Sequence, residues 1–356
     1  MPRTPRVEYE NAVYHVKARG KHLKPIVFDD DDRKLFCDTF AEACGRTGWE
    51  VFAWVLMDNH YHAVFRTPEP NLVTGMQWFQ NAYTRRLNAR KKLRGALFDG
   101  RYRAIPIEDA ATSPRGSLVW RDYLRSVIDY VHLVPGCSGI VDGSNKSCLD
   151  YPWSSLAKGY SLAPSKRPPW LAVAEGLDLL GFPDSAVGRR RSMERLDGII
   201  RNEGGDPLAG ELPLSRRFER GWFWGSEAFR GRLVTRFEKL GSQKRRNSRS
   251  RKESPTKDHG VKRAAEIIAE GAKHFGITVE ELRQKRRGDL RRSSVAWAIA
   301  KETTVPQEWI AKQLNLKSAA NTSQQIRLFH LVPEKELVRE VKAWKLSRSH
   351  GVTNSE

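Results

Sequence analysis

The sequence has 356 residues, and its 62 Lys and Arg outnumber its 42 Asp and Glu, giving a formal net charge of +20. A surplus of this size indicates a polyanionic partner, nucleic acid first, and the alternative is a basic surface that binds none. The 11 Trp and 14 Phe exclude a wholly disordered chain. Neither an apolar signal-peptide core nor a membrane-spanning run occurs, so we expect a cytoplasmic, nucleoid-associated protein.

The cysteine spacing and the lack of a nucleotide-binding loop limit the chemistry. The four cysteines fit neither a zinc site nor a disulfide framework, so we expect free thiols at Cys37, Cys44, Cys137 and Cys148. No glycine-rich loop of either common nucleotide-binding type occurs. We therefore expect a reaction that does not depend on ATP.

The first 160 residues alternate between predicted strands and helices. A strand at 12–19 is followed by a helix that begins at the acidic run Asp29–Asp32, because carboxylates favour the first turn of a helix. Two β-rich runs at 51–57 and 60–66 are joined by Asp58-Asn59, which predicts a hairpin. The remaining elements are a helix over about 70–92, a strand at 101–108 and a helix from Leu118 to Leu133 that Pro135 stops.

The order β-α-β-β-α-β-α predicts an α+β fold with a ferredoxin-like antiparallel sheet and helices on one of its faces. We assign this domain to residues 1–160. Residues 161–257 are expected to form an accessory region that ends in a polar, basic, disordered linker over 242–257. Residues 258–346 are strongly helical by pattern and predict a separate all-α domain.

The last two helical segments, 305–316 and 320–332, predict a helix-turn-helix with Asn315 near the turn. Such a motif presents polar side chains to base edges and phosphates in a major groove. The residues predicted to contact DNA are Asn321, Thr322, Ser323, Gln324, Gln325 and Arg327, with Arg291 and Arg292 upstream. An ordinary helical bundle is the alternative interpretation.

The sharpest local signal is the tripeptide His60-Tyr61-His62 at the start of a predicted strand. Successive side chains of a strand alternate between faces, so His60 and His62 point the same way and suit two imidazoles on one metal ion. A pair of surface or structural histidines is the alternative. His15 on the first strand could converge with them, but the sequence leaves open which face of the sheet it occupies.

Five linked motifs make the sequence recognisable over residues 8–157. They are AVYHVKARG (12–20), VFAWVLMDNHYHAVF (51–65), LFDGRYRA (97–104), RDYLRSVIDYVHLVPGCSGIVD (121–142) and YPWSS (151–155). Together they resemble the REP-associated tyrosine transposases, relatives of the single-tyrosine insertion-sequence transposases. The resemblance implies nicking and rejoining of single-stranded hairpin or repeat DNA through a 5′-phosphotyrosine, by a monomer or a homodimer.

The resemblance also implies site residues. The two histidines of the family's His-hydrophobic-His (HUH) motif bind a divalent metal, here by position His60 and His62. Magnesium or manganese is expected rather than zinc, because thiolates at zinc spacing are lacking. The family's nucleophile falls on Tyr130, within Tyr-Val-His-Leu-Val-Pro. Tyr123 lies seven residues earlier on the same helical face and is the next candidate. Tyr83 and Tyr102 are further tyrosines of the domain, and any of these four could be a plain core aromatic.

Two positions depart from the family pattern. Asp58 stands where the family usually has proline, and Val134 stands where an Asn or Gln usually completes the metal site. Valine cannot ligate a metal, so the third ligand is open among His15, Asp58, His132 and water. This departure favours the alternative function, a non-catalytic DNA-binding regulator with a degenerate HUH domain. A relaxase or rolling-circle initiator would share the chemistry, but no helicase domain is evident.

Residues 258–330 resemble the C-terminal DNA-binding domain of the replication initiator DnaA. The resemblance rests on the segment RRSSVAWAIAKETTVPQEWIAKQLNLKSAANTSQQIR (291–327). The initiator's own box-reading motif is poorly matched, which implies a different target sequence. The expected partner of this domain is duplex DNA.

Overall fold

The computed structural model describes residues 6–109, 119–203, 222–247, 258–286 and 288–348. The chain divides into two compact units, one of residues 1–44 and 48–251 and the other of residues 45–47 and 252–356. The first unit contains the sheet together with the accessory helices, whereas the exact domain boundaries stay predictions. Within the described ranges, no helix combines the length and apolar character that crossing a membrane requires.

The first unit is built on a four-stranded antiparallel sheet. Its strands are β1 (Ala12–Arg19), β2 (Glu50–Leu56), β3 (His60–Thr67) and β4 (Arg103–Ile107). They are ordered β2-β3-β1-β4 across the sheet, and each neighbouring pair is antiparallel. This order is that of a ferredoxin-like sheet, so the predicted α+β fold class is confirmed.

Two helices cover one face of the sheet. They are α1 (Asp30–Thr47) and α2 (Leu72–Lys91). The Asp29 side chain accepts a hydrogen bond from the backbone of Asp32 and caps α1, as the acidic run predicts. The Phe36 ring lies 5.1 Å from the Tyr61 ring and 5.2 Å from the Phe79 ring, measured between centroids. Tyr61 therefore points from β3 into an aromatic core between the two helices.

The third helix, α3 (Val119–Cys137), lies on the opposite face. The ring of Tyr130 on α3 contacts His62, which points the opposite way from Tyr61 on β3. The expectation that all helices lie on one face is therefore wrong. Strand β2 is buried along nearly its whole length, and both of its faces consequently need a covering layer.

Pro135 lies inside α3 and does not stop it. The helix continues to Cys137, and the backbone N–H of Ser138 still donates to the carbonyl of Val134 at 3.0 Å. Proline removes one backbone donor in this last turn without preventing the residues around it from staying helical. The predicted end of the helix at Leu133 is therefore wrong by one turn.

The outer edge of β2 is covered by the segment 151–155. The Tyr151 hydroxyl donates to the Leu56 carbonyl at 2.5 Å, and the Trp54 N–H donates to Ser155 Oγ at 2.9 Å. An open sheet edge would expose unpaired backbone groups, and these bonds satisfy them. The Tyr-Pro-Trp-Ser-Ser motif thus has a structural role as an edge cover.

The outer edge of β4 is covered by the segment 222–226. The Trp224 N–H donates to the Pro106 carbonyl at 2.9 Å, and the Glu108 N–H donates to the Trp224 carbonyl at 2.7 Å. The buried Glu108 carboxylate accepts from the Ser226 N–H at 2.6 Å and from Arg232 at 3.0 Å. Charge-assisted bonds of this kind fix the accessory segment to the sheet.

Three further helices lie in the described part of the first unit. They are α4 (Val173–Leu180), α5 (Ala186–Glu203) and α6 (Glu227–Asn247). The first six residues of the predicted linker, 242–247, continue α6 and are helical, so this part of the linker prediction is wrong. Residues 248–257 lie outside the described residues.

Helices are the only regular elements in the described part of the second unit apart from a single short 3-10 turn, as the pattern predicts. Its helices are α7 (Asp258–His274), α8 (Val279–Gln284), α9 (Leu290–Glu302), α10 (Gln307–Gln313), α11 (Ala319–Leu331) and α12 (Arg339–Ser347). Residues 295–299 of α9 are all buried and form the centre of its core. Asn315 adopts a left-handed conformation with φ of 51° between α10 and α11, where asparagine is tolerated well.

We expect Phe36→Ala to lower the free energy of unfolding by about 3–5 kcal/mol, because it leaves a cavity in the aromatic core. The matched variant Phe28→Ala removes a ring that is 51% exposed and should cost no more than about 1 kcal/mol. Urea denaturation followed by tryptophan fluorescence measures both. Equal losses in the two variants would contradict the core position of Phe36.

Candidate active site

The strand register places three histidines on one face of the sheet. Residues that lie directly opposite each other in antiparallel strands point to the same face. His62 lies opposite Lys17, and His60 lies opposite Arg19. His15 is two residues from Lys17 on β1 and therefore shares this face, which answers the question that the sequence left open.

His15 and His62 contact each other directly. His15 Nε2 lies 2.9 Å from His62 Nδ1, and the two rings are stacked with centroids 5.1 Å apart. His15 is fully buried and His62 is 5% exposed. One of the two nitrogens carries the shared proton, so each ring orients the other.

His60 completes the predicted pair. Its ring centroid lies 5.3 Å from that of His62, and its Nδ1 lies 2.7 Å from the side-chain oxygen of Asn59. Both HUH imidazoles thus use Nδ1 in a hydrogen bond and have Nε2 as their second ring nitrogen. A metal-binding histidine is oriented in this way, by a bond from its non-ligating nitrogen.

Tyr130 is the tyrosine that the structure brings to the histidines. Its half-buried ring lies 5.5 Å from the His62 ring and 5.9 Å from the His15 ring. Tyr123, two turns earlier on α3, has its ring 6.5 Å from that of Trp224. The arrangement thus separates the two tyrosines on the helix, and it is Tyr130 that lies beside the HUH pair.

The other two candidate tyrosines belong to the core. The Tyr83 hydroxyl is buried and donates to the Ile26 carbonyl at 2.6 Å. The Tyr102 ring is 5% exposed and lies under the Arg6 guanidinium, 3.7 Å from its centre. Burial raises the pKa of both phenols, which disfavours the phenolate that nucleophilic attack requires.

The histidine cluster is neutral at physiological pH. Burial lowers the pKa of His15 to about 3 and lowers the pKa of His60 and His62 as well. The positive charge of Lys17 acts in the same direction on all three rings. Neutral imidazole is the form that ligates a metal, so the cluster is poised for that role without loss of a proton.

The side chains considered as a third metal ligand have other partners. Asp58 pairs with Arg33 in an ion pair. His132 lies with its Nε2 2.8 Å from Ser155 Oγ and its ring 4.8 Å from that of Tyr160, on the side of α3 that covers β2. His15 shares a hydrogen bond with His62, a candidate metal ligand, and orients its ring.

Val134 is 5% exposed and packs into the apolar core. Over the described ranges, no group of three or more His, Cys, Asp or Glu side chains is arranged to hold a metal ion. What this face offers a divalent cation is two neutral, oriented imidazoles, His60 and His62. A metal ion held by these two residues would take its remaining ligands from water or from substrate oxygens.

The predicted DNA-contacting residues of α11 divide into an exposed and a buried set. Ser323, Gln324 and Arg327 are exposed on one stripe of the helix. Thr322 is fully buried, and its hydroxyl donates to the Ser318 carbonyl. The structure therefore does not present Thr322 to a ligand.

Asn321 and Gln325 are each 8% exposed and also face the interior of the second unit. The Ser293 hydroxyl donates to the Gln325 side-chain oxygen at 3.3 Å. Their predicted contact with DNA is at odds with this burial, which arises because α11 packs one side against α9 and α10.

The two upstream arginines have structural partners. Arg292 is 6% exposed and donates to the carbonyls of Arg283 and Arg286. It thereby supplies hydrogen-bond donors to backbone carbonyls at and just after the C-terminal end of α8. Arg291 is half-buried and pairs with Glu340 at 2.6 Å. The basic run that suggested a DNA contact is thus engaged within the unit.

Sequence reasoning missed Asn59 and Lys17 as site residues. Asn59 was interpreted as a turn residue, but its side chain orients His60. Lys17 lies within the predicted first strand with no role assigned to it, but it lies directly opposite His62. Because side chains two residues apart on a strand share a face, the position of His15 would have indicated that Lys17 lies on the histidine face.

Residues 8–116 match the family described as Transposase IS200 like. Over these residues the chain is similar to IS200-like transposases, as the sequence motifs predict, and this similarity supports a role in DNA processing. The matched segment contains all three clustered histidines and ends before Tyr130.

A solved structure described as "Structure of the REP associates tyrosine transposase bound to a REP hairpin" is also similar. The similarity covers 47% of this chain and 89% of that chain, with 16% sequence identity and a TM-score of 0.36. At that identity and score the likeness does not extend to function. No curated protein matches the chain.

The buried, neutral state of His132 predicts acid sensitivity. Burial lowers its pKa to about 3, below the value of about 6.5 in an unfolded chain. Between these pH values the unfolded chain binds a proton that the folded chain does not, so stability falls as the pH falls. The size of this effect is up to about 1.4 kcal/mol per pH unit for one group.

We expect His132→Gln, which can still bond to Ser155 but does not titrate, to have a shallower decline in unfolding free energy between pH 6.5 and 4. Urea denaturation across that range measures the slope. His22→Gln replaces an exposed histidine and serves as the control. A wild-type slope in His132→Gln would show that His132 is not the group responsible.

Proposed function

We propose that this protein nicks and rejoins single-stranded DNA through a covalent bond to Tyr130, with a divalent metal held by His60 and His62. The observation that supports this proposal most is the packing of the Tyr130 ring 5.5 Å from the His62 ring. A tyrosine beside two oriented, neutral imidazoles on a transposase domain has the parts that phosphoryl transfer to tyrosine requires.

The reaction is an exchange of phosphate esters. The Tyr130 oxygen forms a bond to phosphorus while the bond between phosphorus and the 3′ oxygen breaks. The phenolic proton is lost to water and the 3′ oxygen gains a proton, which leaves a 5′-phosphotyrosine and a free 3′-OH. A 3′-OH attacks the phosphotyrosine in the reverse direction, so rejoining consumes no ATP.

The chain's own residues prepare this exchange. Asn59 and His15 hold the two HUH imidazoles through their Nδ1 atoms, which keeps the rings in place. A bound Mg²⁺ or Mn²⁺ would polarise a phosphate oxygen and offset charge that develops on it. The half-buried position of Tyr130 keeps its ring fixed while leaving it partly accessible to a strand.

A second candidate function is a non-catalytic regulator that binds DNA through a degenerate HUH domain. Val134 favours it, because the buried valine supplies no ligand at a position where the resembling family usually has Asn or Gln. The same two histidines and tyrosine would then serve only to shape a DNA-binding surface.

We further propose that the second unit binds duplex DNA through the exposed stripe of α11. Ser323, Gln324 and Arg327 line this stripe, and the resemblance to the DnaA DNA-binding domain supports the assignment. The side chains can donate to and accept from base edges in a major groove.

Incubation with labelled single-stranded hairpin DNA from the flanks of the protein's own gene, with Mn²⁺, tests the nicking function. We expect a covalent adduct on a denaturing gel for the wild type and for Tyr123→Phe, and none for Tyr130→Phe. We also expect EDTA or His62→Ala to abolish it, because charge on the phosphate is then not offset.

An adduct that survives in Tyr130→Phe and disappears in Tyr123→Phe would move the nucleophile to Tyr123. Tight binding without an adduct in the wild type, for every flanking hairpin tried, would favour the regulator. Thermal unfolding of each variant controls for loss of the fold.

For the second unit, we expect Gln324→Ala and Arg327→Ala each to weaken duplex binding by about 1–3 kcal/mol without a change in melting temperature. Lys335→Ala removes an exposed charge outside the stripe and is the matched control. Fluorescence anisotropy with duplexes from the gene's flanks measures the affinity. Unchanged affinity in both stripe variants would support the ordinary helical bundle.

A further inference from the structure

Two basic residues extend the histidine face across the sheet. Lys17 on β1 lies directly opposite His62 on β3 and directly opposite Arg103 on β4. Directly opposite residues share a face and have Cβ atoms about 4.5–5.5 Å apart. His62, Lys17 and Arg103 therefore form one row across three strands, which we call the cationic row.

The charges of the cationic row act on the histidine cluster. The charge of Lys17 lowers the pKa of all three histidines, and that of Arg103 lowers the pKa of His15, in addition to the effect of burial. Because its charge affects the pKa of all three imidazoles, the Lys17 ammonium belongs to the electrostatic surroundings of the whole histidine cluster. Both basic side chains are half-buried, so their charges are less screened than those of exposed residues.

Arg19 lies opposite His60 on the same face but differs in its surroundings. Its side chain is 63% exposed, and its guanidinium pairs with Asp99 at 3.1 Å. A carboxylate on the surface therefore compensates this charge. Lys17 is half-buried and lies opposite His62, so it is the less exposed of the two β1 cations that share the face of the histidines.

We propose that Lys17, supported by Arg103, binds the phosphate oxygens of the DNA strand at the scissile position. The inference rests on the proposed nicking function and deepens it, because it states which group of the substrate, the scissile phosphate, binds to the sheet next to His62. Lysine binds phosphate as a point charge and suits a group whose charge is spread over several oxygens.

The composition of the site supplies the reason for such a cation. His60 and His62 are neutral, Val134 offers no ligand, and over the described ranges no carboxylate joins two of the histidines in a group that could hold a metal ion. The scissile phosphate brings one negative charge and gains a second as tyrosine attacks. A fixed ammonium beside the metal-binding pair stabilises that developing charge.

Binding without metal tests the phosphate contact separately from catalysis. The affinity for a fluorescently labelled single strand from the gene's flanks is measured in EDTA at several salt concentrations. Competition with the same strand without the label controls for binding to the label. The variants are Lys17→Met, which keeps the length of the side chain, Lys17→Arg, which keeps its charge, and Lys34→Met. Lys34 lies exposed on α1, the layer on the other face of the sheet, and controls for net charge.

We expect Lys17→Met to make the plot of log affinity against log salt shallower by about 0.7, the contribution of one phosphate contact on a single strand. Lys17→Arg should restore the wild-type slope, and Lys34→Met should leave it unchanged. A Lys17→Met slope equal to the wild type, in a protein with wild-type melting temperature, overturns the inference.

Adduct formation with Mn²⁺ supplies the second readout. We expect Lys17→Met to slow it by at least about tenfold at saturating DNA, because one charge is lost from the transition state. If the wild type forms the adduct and Lys17→Met changes neither the salt slope nor the rate, the phosphate-binding role of Lys17 is refuted while the nicking function stands. A wild type that forms no adduct removes the nicking function, while a changed salt slope would still establish the phosphate contact.

Discussion

The antiparallel pairing of β1 with β3 is the interaction on which the candidate site depends. It places His15 two residues from the partner of His62 and allows their ring nitrogens to meet at 2.9 Å. Because strand side chains alternate with a period of two, a shift of one residue would send His15 to the aromatic face between α1 and α2. The register is held by that face too, since Tyr61 is locked between Phe36 and Phe79. The core on one side of the sheet thus determines the chemistry on the other.

The position of α3 is the second requirement, and residues far along the chain secure it. Asp129, the neighbour of Tyr130, is buried and bonds to Arg195 of α5, with the Nη1 and Oδ1 atoms 2.9 Å apart. His132 bonds to Ser155, which also bonds to the backbone of β2. These contacts fix the rotation of the helix, and hence the side from which Tyr130 meets the histidines. The accessory region and the Tyr-Pro-Trp-Ser-Ser motif consequently support the site without belonging to it.

Much of this architecture was predictable from the sequence, and the failures have physical causes. Alternation along a strand predicts that His60 and His62 share a face, but only the register between strands shows that His15 and Lys17 join them. The turn propensity of Asp58-Asn59 predicts the hairpin, whereas the hydrogen bond that the Asn59 side-chain oxygen accepts from His60 depends on the Asn59 rotamer. On α11, polarity predicted a DNA-contacting face, yet Thr322 and Gln325 are buried because packing and not polarity decides which side of a helix is covered. The roles of Tyr130 and of the metal ligands stay predictions.

The most direct test of the central claim, that His60 and His62 hold a divalent metal beside Tyr130, is pulsed electron paramagnetic resonance of Mn²⁺ added to the protein. Imidazole nitrogens bound to Mn²⁺ produce a characteristic modulation of the electron spin echo. We expect nitrogen couplings from two imidazoles in the wild type, and from one in His60→Ala and in His62→Ala. Bound Mn²⁺ without nitrogen couplings, or couplings that persist unchanged in both variants, would contradict the assignment of this histidine pair as the metal site.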